Sequence, residues 1–174
     1  MTFSRVLHSQ KVTSLRAFYK NIFINGIIMS YVTPCTLRRI CLNMWGCDIK
    51  GTIHGHTTIL TNKLSVGKHS YINKNCFIGN GYEYVRIGSY CAIAYGVTIT
   101  TDNHEIDNEE CRAGKIKSEP VEIKDGCWVG CNVTILPGTV IGKGCVIAAG
   151  SVVKGTLTEN GVYAGVPAKL IKKL

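Results

Sequence analysis

A polar stretch in the middle of the chain holds the residues best suited to acid–base chemistry. Residues 100–107 read TTDNHEID, and five acidic residues lie between Asp102 and Glu110. Histidine titrates near neutral pH, so His104 could accept a proton from a group that attacks an electrophile. Cys111 lies in the same stretch and could act as a nucleophile, but no motif fixes a base beside it. We therefore favour a general-base role for His104.

The sequence on both sides of this stretch follows a six-residue repeat, a period that neither an α-helix nor a half-buried strand has. Three short strands joined by tight corners would complete one turn in eighteen residues, and stacked turns would superimpose the aliphatic side chains. The repeat predicts a parallel β-solenoid over residues 51–155, interrupted by an excursion loop at 100–120 that carries His104. The repeated aliphatic residues are Ile53 and Ile59, then Val66, Ile72 and Ile78, then Ile87, Ile93 and Ile99, then Ile123, Val129, Ile135, Ile141, Ile147 and Val153.

Small residues occupy a second position of the repeat, four residues after each aliphatic one. We expect them to point inward at tight corners, where a thiol acts as a small apolar group. Since the chain also has no CxxC pair, we expect reduced thiols, no zinc ribbon and a cytoplasmic location. Glycine directly follows the aliphatic residue at positions 67, 79, 88, 130 and 142, where we expect it to ease a bend. The corner residues are Ser70, Cys76, Cys91, Val97, Cys127, Val133, Thr139, Cys145 and Ser151.

The two ends of the chain lie outside the repeat. Residues 1–50 hold seven of the Lys and Arg residues and one acid, within a net charge of +9 for the chain. The apolar run Ile22–Val32 is too short to cross a membrane. We interpret residues 1–50 as a helical cap on the body, and the alternative is weak contact with an anionic membrane surface. Residues 156–174 contain Pro167 and predict a short terminal helix or strand.

Three segments resemble the hexapeptide-repeat acyltransferases. They are IGSYCAIAYGVTITTDNHEID (87–107), PVEIKDGCWVGCNVTILPGTVIGKGCVIAAGSVV (120–153) and YAGVPAKLI (163–171). The likeness is greatest to galactoside and maltose O-acetyltransferases and to O-acetyltransferases of surface-polysaccharide pathways, and it covers roughly residues 51–174. It implies an all-β, left-handed parallel β-helix that forms homotrimers. It also implies transfer of an acetyl group from acetyl-CoA without a metal, and no nucleic-acid partner.

The resemblance also assigns roles to individual residues. His104 corresponds to the catalytic base, and the backbone N–H of Cys131 corresponds to the donor that holds the oxyanion. Asn73, Asp102 and Trp128 are the expected acceptor-binding residues, although an asparagine such as Asn73 is equally common in tight turns. The expected acetyl-CoA contacts are Gly130, Cys131, Ala148, Ala149, Lys154 and Lys169, and either lysine could instead be an ordinary solvated residue.

One position departs from the family pattern and leaves the acceptor open. Galactoside-type members have a glutamate eleven residues after the histidine, where this chain has Lys115; Glu109, Glu110 or Glu119 could take its place. The acceptor could also be an amino sugar, acetylated on nitrogen. Two more distant alternatives are a γ-type zinc carbonic anhydrase and a β-helix without catalytic activity. The carbonic anhydrase would need three metal-binding histidines, and we instead expect His54, His56 and His69 to be surface residues.

Overall fold

In the part of the chain that the structure describes, two short helices precede the strands. The computed structural model describes residue 18 and residues 20–79 and 82–174. Helix α1 (Lys20–Ile28) has wide, π-type turns, and the N–H of Met29 donates to the Ile24 carbonyl, five residues back. Helix α2 (Cys35–Met44) begins directly after Pro34, a residue that suits the start of a helix because it has no N–H to leave unpaired. No helix in the described residues is long and apolar enough to cross a bilayer.

Short parallel strands then wind through six stacked coils. Each of the first five coils has three strands, one on each of three flat faces, which we call faces A, B and C in chain order. The first three coils comprise β1 (Asp48–Ile49), β2 (Thr52–Ile53) and β3 (Thr58–Ile59); β4 (Leu64–Val66), β5 (Tyr71–Ile72) and β6 (Phe77–Ile78); and β7 (Val85–Ile87), β8 (Ala92–Ile93) and β9 (Thr98–Ile99).

A hairpin interrupts the winding, and the coils then resume in register. The hairpin consists of β10 (Asp102–Ile106) and β11 (Ala113–Ser118). The remaining coils comprise β12 (Val121–Ile123), β13 (Trp128–Val129) and β14 (Thr134–Ile135); β15 (Val140–Ile141), β16 (Val146–Ile147) and β17 (Val152–Val153); and β18 (Thr156–Leu157) with β19 (Gly161–Gly165). The chain ends in β20 (Ala168–Lys173), which pairs antiparallel with β19.

Columns of aliphatic side chains form the core, as the repeat predicted. On face B, Ile72 pairs with Ile93, Ile93 with Val129, and Val129 with Ile147, and each is at most 1% exposed. Burial of each such side chain contributes about 1.5–3 kcal/mol to stability, so an aliphatic residue at every sixth position strongly favours this fold. The predicted β-helix, with its helical N-terminal extension and short C-terminal element, is confirmed. Its strands begin at Asp48 and the last coil extends to Gly165.

The corner residues are buried, as expected, and several also bond the coils together. All nine are at most 2% exposed. Cys91 donates its S–H to the carbonyl of Lys124 in the next coil at 3.1 Å, and Cys127 donates to that of Gly142 at the same distance. Ser70 and Cys145 donate in the same way to Gly88 and Thr158. The thiols therefore act as weak hydrogen-bond donors as well as small apolar groups.

Most of the glycines that follow the aliphatic residues are needed for a reason other than the expected one. Of the five, only Gly79 has a left-handed φ, at 62°. A Cβ on Gly130 would lie 2.7 Å from the Ala149 nitrogen, and one on Gly142 would lie 2.6 Å from the Glu159 nitrogen. The expected bend is therefore wrong at positions 67, 88, 130 and 142, where glycine allows the next coil to approach closely. Left-handed φ instead recurs three residues after the aliphatic position, at His56, His69, Asn75, Tyr90, Gly96, Gly126, Asn132, Gly138, Gly144 and Gly150.

The helices cover the open edge of the first coil. The side-chain amide of Asn43 accepts from the Ile49 N–H at 2.7 Å and donates to its carbonyl, and Asn25 pairs with Ile59 in the same way. Arg38, only 2% exposed, donates to the Ile53 carbonyl at 2.8 Å and to three carbonyls of residues 28–33. These side chains satisfy strand groups that would otherwise be free to pair with another chain.

Candidate active site

The hairpin that carries His104 is anchored firmly at its base. It leaves the coil at the corner between faces C and A, and the Glu119 N–H donates to the Thr101 carbonyl at 2.8 Å across its base. Thr101 is completely buried. Beyond the hairpin, β12 pairs with β7, so the excursion leaves the stacking of the coils intact. A polar, exposed hairpin on a rigid support is a suitable place for a catalytic side chain.

The imidazole of His104 is exposed and fixed in one tautomer. Its Nδ1 lies 2.8 Å from the carbonyl oxygen of Gly114, on the opposite strand of the hairpin. Because a carbonyl can only accept, Nδ1 must carry the hydrogen of the neutral ring. The lone pair then resides on Nε2, the nitrogen that can accept a proton. The sequence analysis did not identify the Gly114 carbonyl, because a backbone acceptor has no residue-type signal.

The register of the hairpin places the other candidates around His104. Asp102 pairs with Ser118 and His104 with Ile116, so the alternation of a strand sets Asp102 and His104 on one face. The pairing then shifts register between His104 and Ile106, and Lys115 lies at this irregularity, next to Gly114. The Glu119 carboxylate lies 3.2 Å from Lys117 Nζ at the base of the hairpin.

The turn of the hairpin contains Cys111, Glu109 and Glu110. Cys111 bonds locally, donating its S–H to the Ala113 carbonyl at 3.6 Å and its N–H to the Asn108 side chain at 3.0 Å. The pairing of His104 with Ile116 places the imidazole within the paired strands, whereas these three residues lie in the turn beyond them.

A second group of predicted site residues lies at another corner of the coil, between faces B and C. There the chain stacks Asn73 of the second coil, Gly130 and Cys131 of the fourth, and Ala148 and Ala149 of the fifth. Cys131 is exposed, and no described residue accepts from its N–H, whereas its carbonyl accepts from the Gly150 N–H at 2.9 Å. The structure therefore brings five of the predicted residues together, with a backbone donor available among them.

Trp128 and Lys154 lie apart from this corner, whereas Lys169 lies near it, since it pairs with Ala164, next to the Tyr163 carbonyl that accepts from the Ala148 N–H. Trp128 stands on face B, 58% exposed, in register between Ala92 and Val146. Lys154 follows β17 at the corner between faces C and A, and Lys169 lies in β20, beside face B. The hairpin that carries His104 therefore leaves from the corner between faces C and A, whereas Cys131 lies at the corner between faces B and C.

The other histidines do not converge on a site. His54 is half-buried rather than fully on the surface, and its pKa is lowered by burial and then by the nearby charges of Arg38 and Lys74. His56 is exposed and stacks on Tyr31 at 3.7 Å between ring centroids, and His69 is exposed and stacks on Tyr90. Among the described residues, no three or more His, Cys, Asp or Glu side chains are placed to hold a metal ion. All nine cysteines are free thiols.

Asn73 makes contacts that suit both of its proposed roles. Its side-chain oxygen accepts from the Lys74 N–H at 3.0 Å, which is the local bond of a tight turn. Its own carbonyl accepts from Thr57 at 2.9 Å, which ties the second coil to the first. The side-chain NH₂ group has no acceptor among the described residues and is half-buried at the corner that also holds Cys131. That group could bind a hydroxyl.

Comparison with known proteins identifies the family. The family description "Bacterial transferase hexapeptide (six repeats)" matches residues 120–155. "Putative acetyltransferase YJL218W" of Saccharomyces cerevisiae is 43% identical over 148 residues, which are 85% of this chain and 69% of that protein. "Putative lipopolysaccharide biosynthesis O-acetyl transferase WbbJ" of Escherichia coli is 45% identical over 100 residues, and the match spans only about half of either protein.

A solved structure agrees with these sequence relatives. "Galactoside acetyltransferase in complex with coenzyme A" superimposes with a TM-score of 0.76 at 26% identity, over 91% of this chain and 79% of that one. The six-residue repeat, the parallel coils and the long match to the yeast relative agree with one another. The chain therefore belongs to the hexapeptide-repeat acetyltransferases, and it is an acyltransferase by family.

Proposed function

We propose that this chain transfers the acetyl group of acetyl-CoA to a hydroxyl of a sugar, within a precursor of a surface polysaccharide. The hydrogen bond between His104 Nδ1 and the Gly114 carbonyl carries the proposal, since it leaves Nε2 as a proton acceptor in the exposed hairpin. The names of two relatives, a galactoside acetyltransferase bound to coenzyme A and a lipopolysaccharide O-acetyl transferase, support the donor and the sugar acceptor.

In the proposed reaction, Nε2 of neutral His104 removes the proton of the acceptor hydroxyl. The hydroxyl oxygen attacks the thioester carbonyl carbon and forms a new C–O bond. The C–S bond then breaks, and the coenzyme A thiolate leaves with the proton returned by the imidazolium. Atoms and charge balance without a covalent acyl-enzyme, so no nucleophilic side chain, such as that of Cys111, is required.

The corner between faces B and C supplies the groups proposed for the donor. The Cys131 N–H would stabilise the oxyanion that forms on the thioester carbonyl, since a fixed backbone donor needs no reorganisation as charge develops. Gly130, Ala148 and Ala149 present little side-chain bulk there, which suits a narrow pantetheine arm. Lys154 and Lys169 would pair with phosphates of the nucleotide as point charges.

The separation of the two corners supports a homotrimer. In one chain the hairpin that carries His104 leaves from a different corner of the prism than the one that holds the Cys131 N–H. Flat faces packed around a three-fold axis would bring one protomer's corner between faces C and A against its neighbour's corner between faces B and C. We propose that each active site forms between two protomers in this way.

The proposed acceptor also suggests where the enzyme works. Precursors of surface polysaccharides are commonly linked to lipid at the cytoplasmic face of the membrane, so we propose a cytoplasmic enzyme that acts at that face. Asp102, which shares a hairpin face with His104, and the NH₂ group of Asn73 would bind acceptor hydroxyls. Trp128 offers an exposed ring on which a sugar could pack.

The proposal is tested by incubating the purified chain with acetyl-CoA and a panel of free and lipid-linked sugars, followed by mass spectrometry. We expect one acceptor class to gain an acetyl group. Treatment with mild hydroxylamine distinguishes the two chemistries, because it cleaves an O-acetyl ester and leaves an N-acetyl amide intact. A stable product would favour the amino-sugar alternative. A chain that neither binds acetyl-CoA nor acetylates any acceptor would contradict the proposed function.

A further inference from the structure

The helices that cover the first coil expose an apolar surface on their outward side. On the inward side, Ile24, Ile28 and Leu42 are at most 5% exposed and pack into the core. Six large apolar side chains point the other way, with exposures between 48% and 82%. We call this set the cap face; it consists of Ile22, Phe23 and Ile27 of α1 and Leu37, Ile40 and Met44 of α2.

Covering the coil does not require these outward side chains to be apolar. Asn25, Arg38 and Asn43 already satisfy the strand edge, and the inward side chains already fill the contact with the core. A helix that only covers a domain normally carries polar and charged residues on its solvent side. A set of large exposed apolar side chains of this kind is typical of an interaction site.

The charge of this end of the chain indicates an anionic partner. Residues 1–47 contain six Lys and Arg residues and no Asp or Glu, and Arg38 is the buried one described above. Arg39 is exposed on α2, in sequence between Leu37 and Ile40 of the cap face. A second copy of the chain would fit poorly here, because a two-fold contact would set Arg39 against its own copy, and neither α1 nor α2 contains an Asp or Glu to pair with it.

We propose that the cap face binds the surface of an anionic lipid bilayer. Its apolar side chains enter the boundary between head groups and acyl chains, and Arg39 lies among the lipid phosphates. Neither α1 nor α2 is long enough to cross, so the attachment is peripheral. The proposal stands on this surface alone and rests on the proposed function only for its purpose, which is to bring the site to lipid-linked acceptors.

In the proposed homotrimer the three cap faces lie at the same end, since the three-fold axis that relates the protomers is parallel to the axis along which the coils stack. Three weak attachments would then act together, and the bound trimer would dissociate far more slowly than a single chain. The coils would stand upright on the bilayer, with the hairpin of the third coil above its surface.

Co-sedimentation of the full chain with vesicles tests this surface. Vesicles of phosphatidylcholine with phosphatidylglycerol should carry the chain into the pellet at low salt, and vesicles of phosphatidylcholine alone should carry much less. The triple variant Phe23→Ser, Ile27→Ser and Ile40→Ser should bind at least about tenfold more weakly, given what each buried apolar side chain contributes. Ile171→Ser is the matched control, since Ile171 is 66% exposed in β20 at the opposite end of the solenoid, and it should bind like the wild type.

A charge variant separates the two contributions to binding. Arg39→Gln should weaken binding by about fivefold, the effect of one basic residue at an anionic surface, and Lys143→Gln in the fifth coil should have no effect. The melting temperature and acetyl transfer to a water-soluble acceptor should be unchanged in all four variants. The variants therefore report on membrane contact even if the acceptor proposal is wrong.

The proposal is overturned if the full chain stays in the supernatant with anionic vesicles at low salt. It is also overturned if the triple variant binds as tightly as Ile171→Ser, since charge alone would then explain the attachment. Sedimentation velocity addresses the other occupant of such a surface. If the triple variant loses an oligomer that Ile171→Ser retains, and the wild type does not bind vesicles, the cap face is a contact between copies of the chain.

Discussion

Replacement of His104 by alanine should lower kcat by about 10²–10⁴ and leave the coils folded. A rate loss of that size corresponds to about 3–5 kcal/mol of transition-state stabilisation. The effect on stability should be much smaller. The imidazole is exposed and makes a single side-chain hydrogen bond, to the Gly114 carbonyl, so its removal should cost at most about 1.5 kcal/mol of unfolding free energy.

The assay measures initial rates of acetyl-CoA consumption by chromatography, with the acceptor found in the sugar screen. Thermal unfolding of the same samples reports on stability. His69→Ala is the matched control, because His69 is also exposed and also makes one contact, a ring stack on Tyr90 in the neighbouring coil. We expect that control to keep wild-type kcat. A folded His104→Ala enzyme with normal kcat would refute the general-base assignment.

Five further variants, at four positions, test how the coils hold the site. Gly130→Ala should destabilise the chain by about 1–3 kcal/mol and lower activity, because its Cβ would meet the Ala149 backbone nitrogen at 2.7 Å, beside the Cys131 N–H. Gly155→Ala is the control, because a Cβ there has open space and should cost only the strain of the left-handed φ, about 1 kcal/mol. Chemical denaturation can resolve the difference between the two variants. Arg38→Lys should lower the unfolding free energy by about 3 kcal/mol or more, since one ammonium group cannot reach all the carbonyls that the guanidinium binds. An unchanged denaturation midpoint would show that these additional hydrogen bonds contribute nothing. Cys127→Ser should keep close to the wild-type unfolding free energy, because a hydroxyl can also donate to the Gly142 carbonyl, whereas Cys127→Ala should lose about 1 kcal/mol. An equal loss in both variants would mean that this hydrogen bond to the next coil does not contribute to stability.

Local sequence could reveal the fold because one short rule repeats along the chain. The column through Ile72, Ile93 and Val129 needs only an aliphatic residue at every sixth position, and each coil repeats that need. The interruption between Ile99 and Ile123 was visible for the same reason, and it pointed to His104. The buried corner cysteines also followed from their spacing.

The same local rule gave the wrong reason for glycines such as Gly130, because the constraint there comes from another coil. A bend is a property of neighbouring residues, whereas the contact with Ala149 joins residues nineteen positions apart. The hydrogen bonds from Asn25 and Arg38 to the edge of the first coil were not predicted, for the same reason. Their partners are backbone carbonyls and N–H groups, which every residue has and which no sequence pattern distinguishes.

By itself, the sequence determined a periodic β-helix, a histidine in an excursion from it, and columns of aliphatic and small residues in the coils, since each depends on residue type and spacing along the chain. Only the tertiary structure decided which nitrogen of His104 is free, because that depends on the Gly114 carbonyl across a hairpin. The tertiary structure also decided that His104 and the Cys131 N–H lie at different corners of the prism. The physical reason is that hydrogen bonds form between groups that are close in space. Spacing along the chain specifies which groups are close only where the repeat holds.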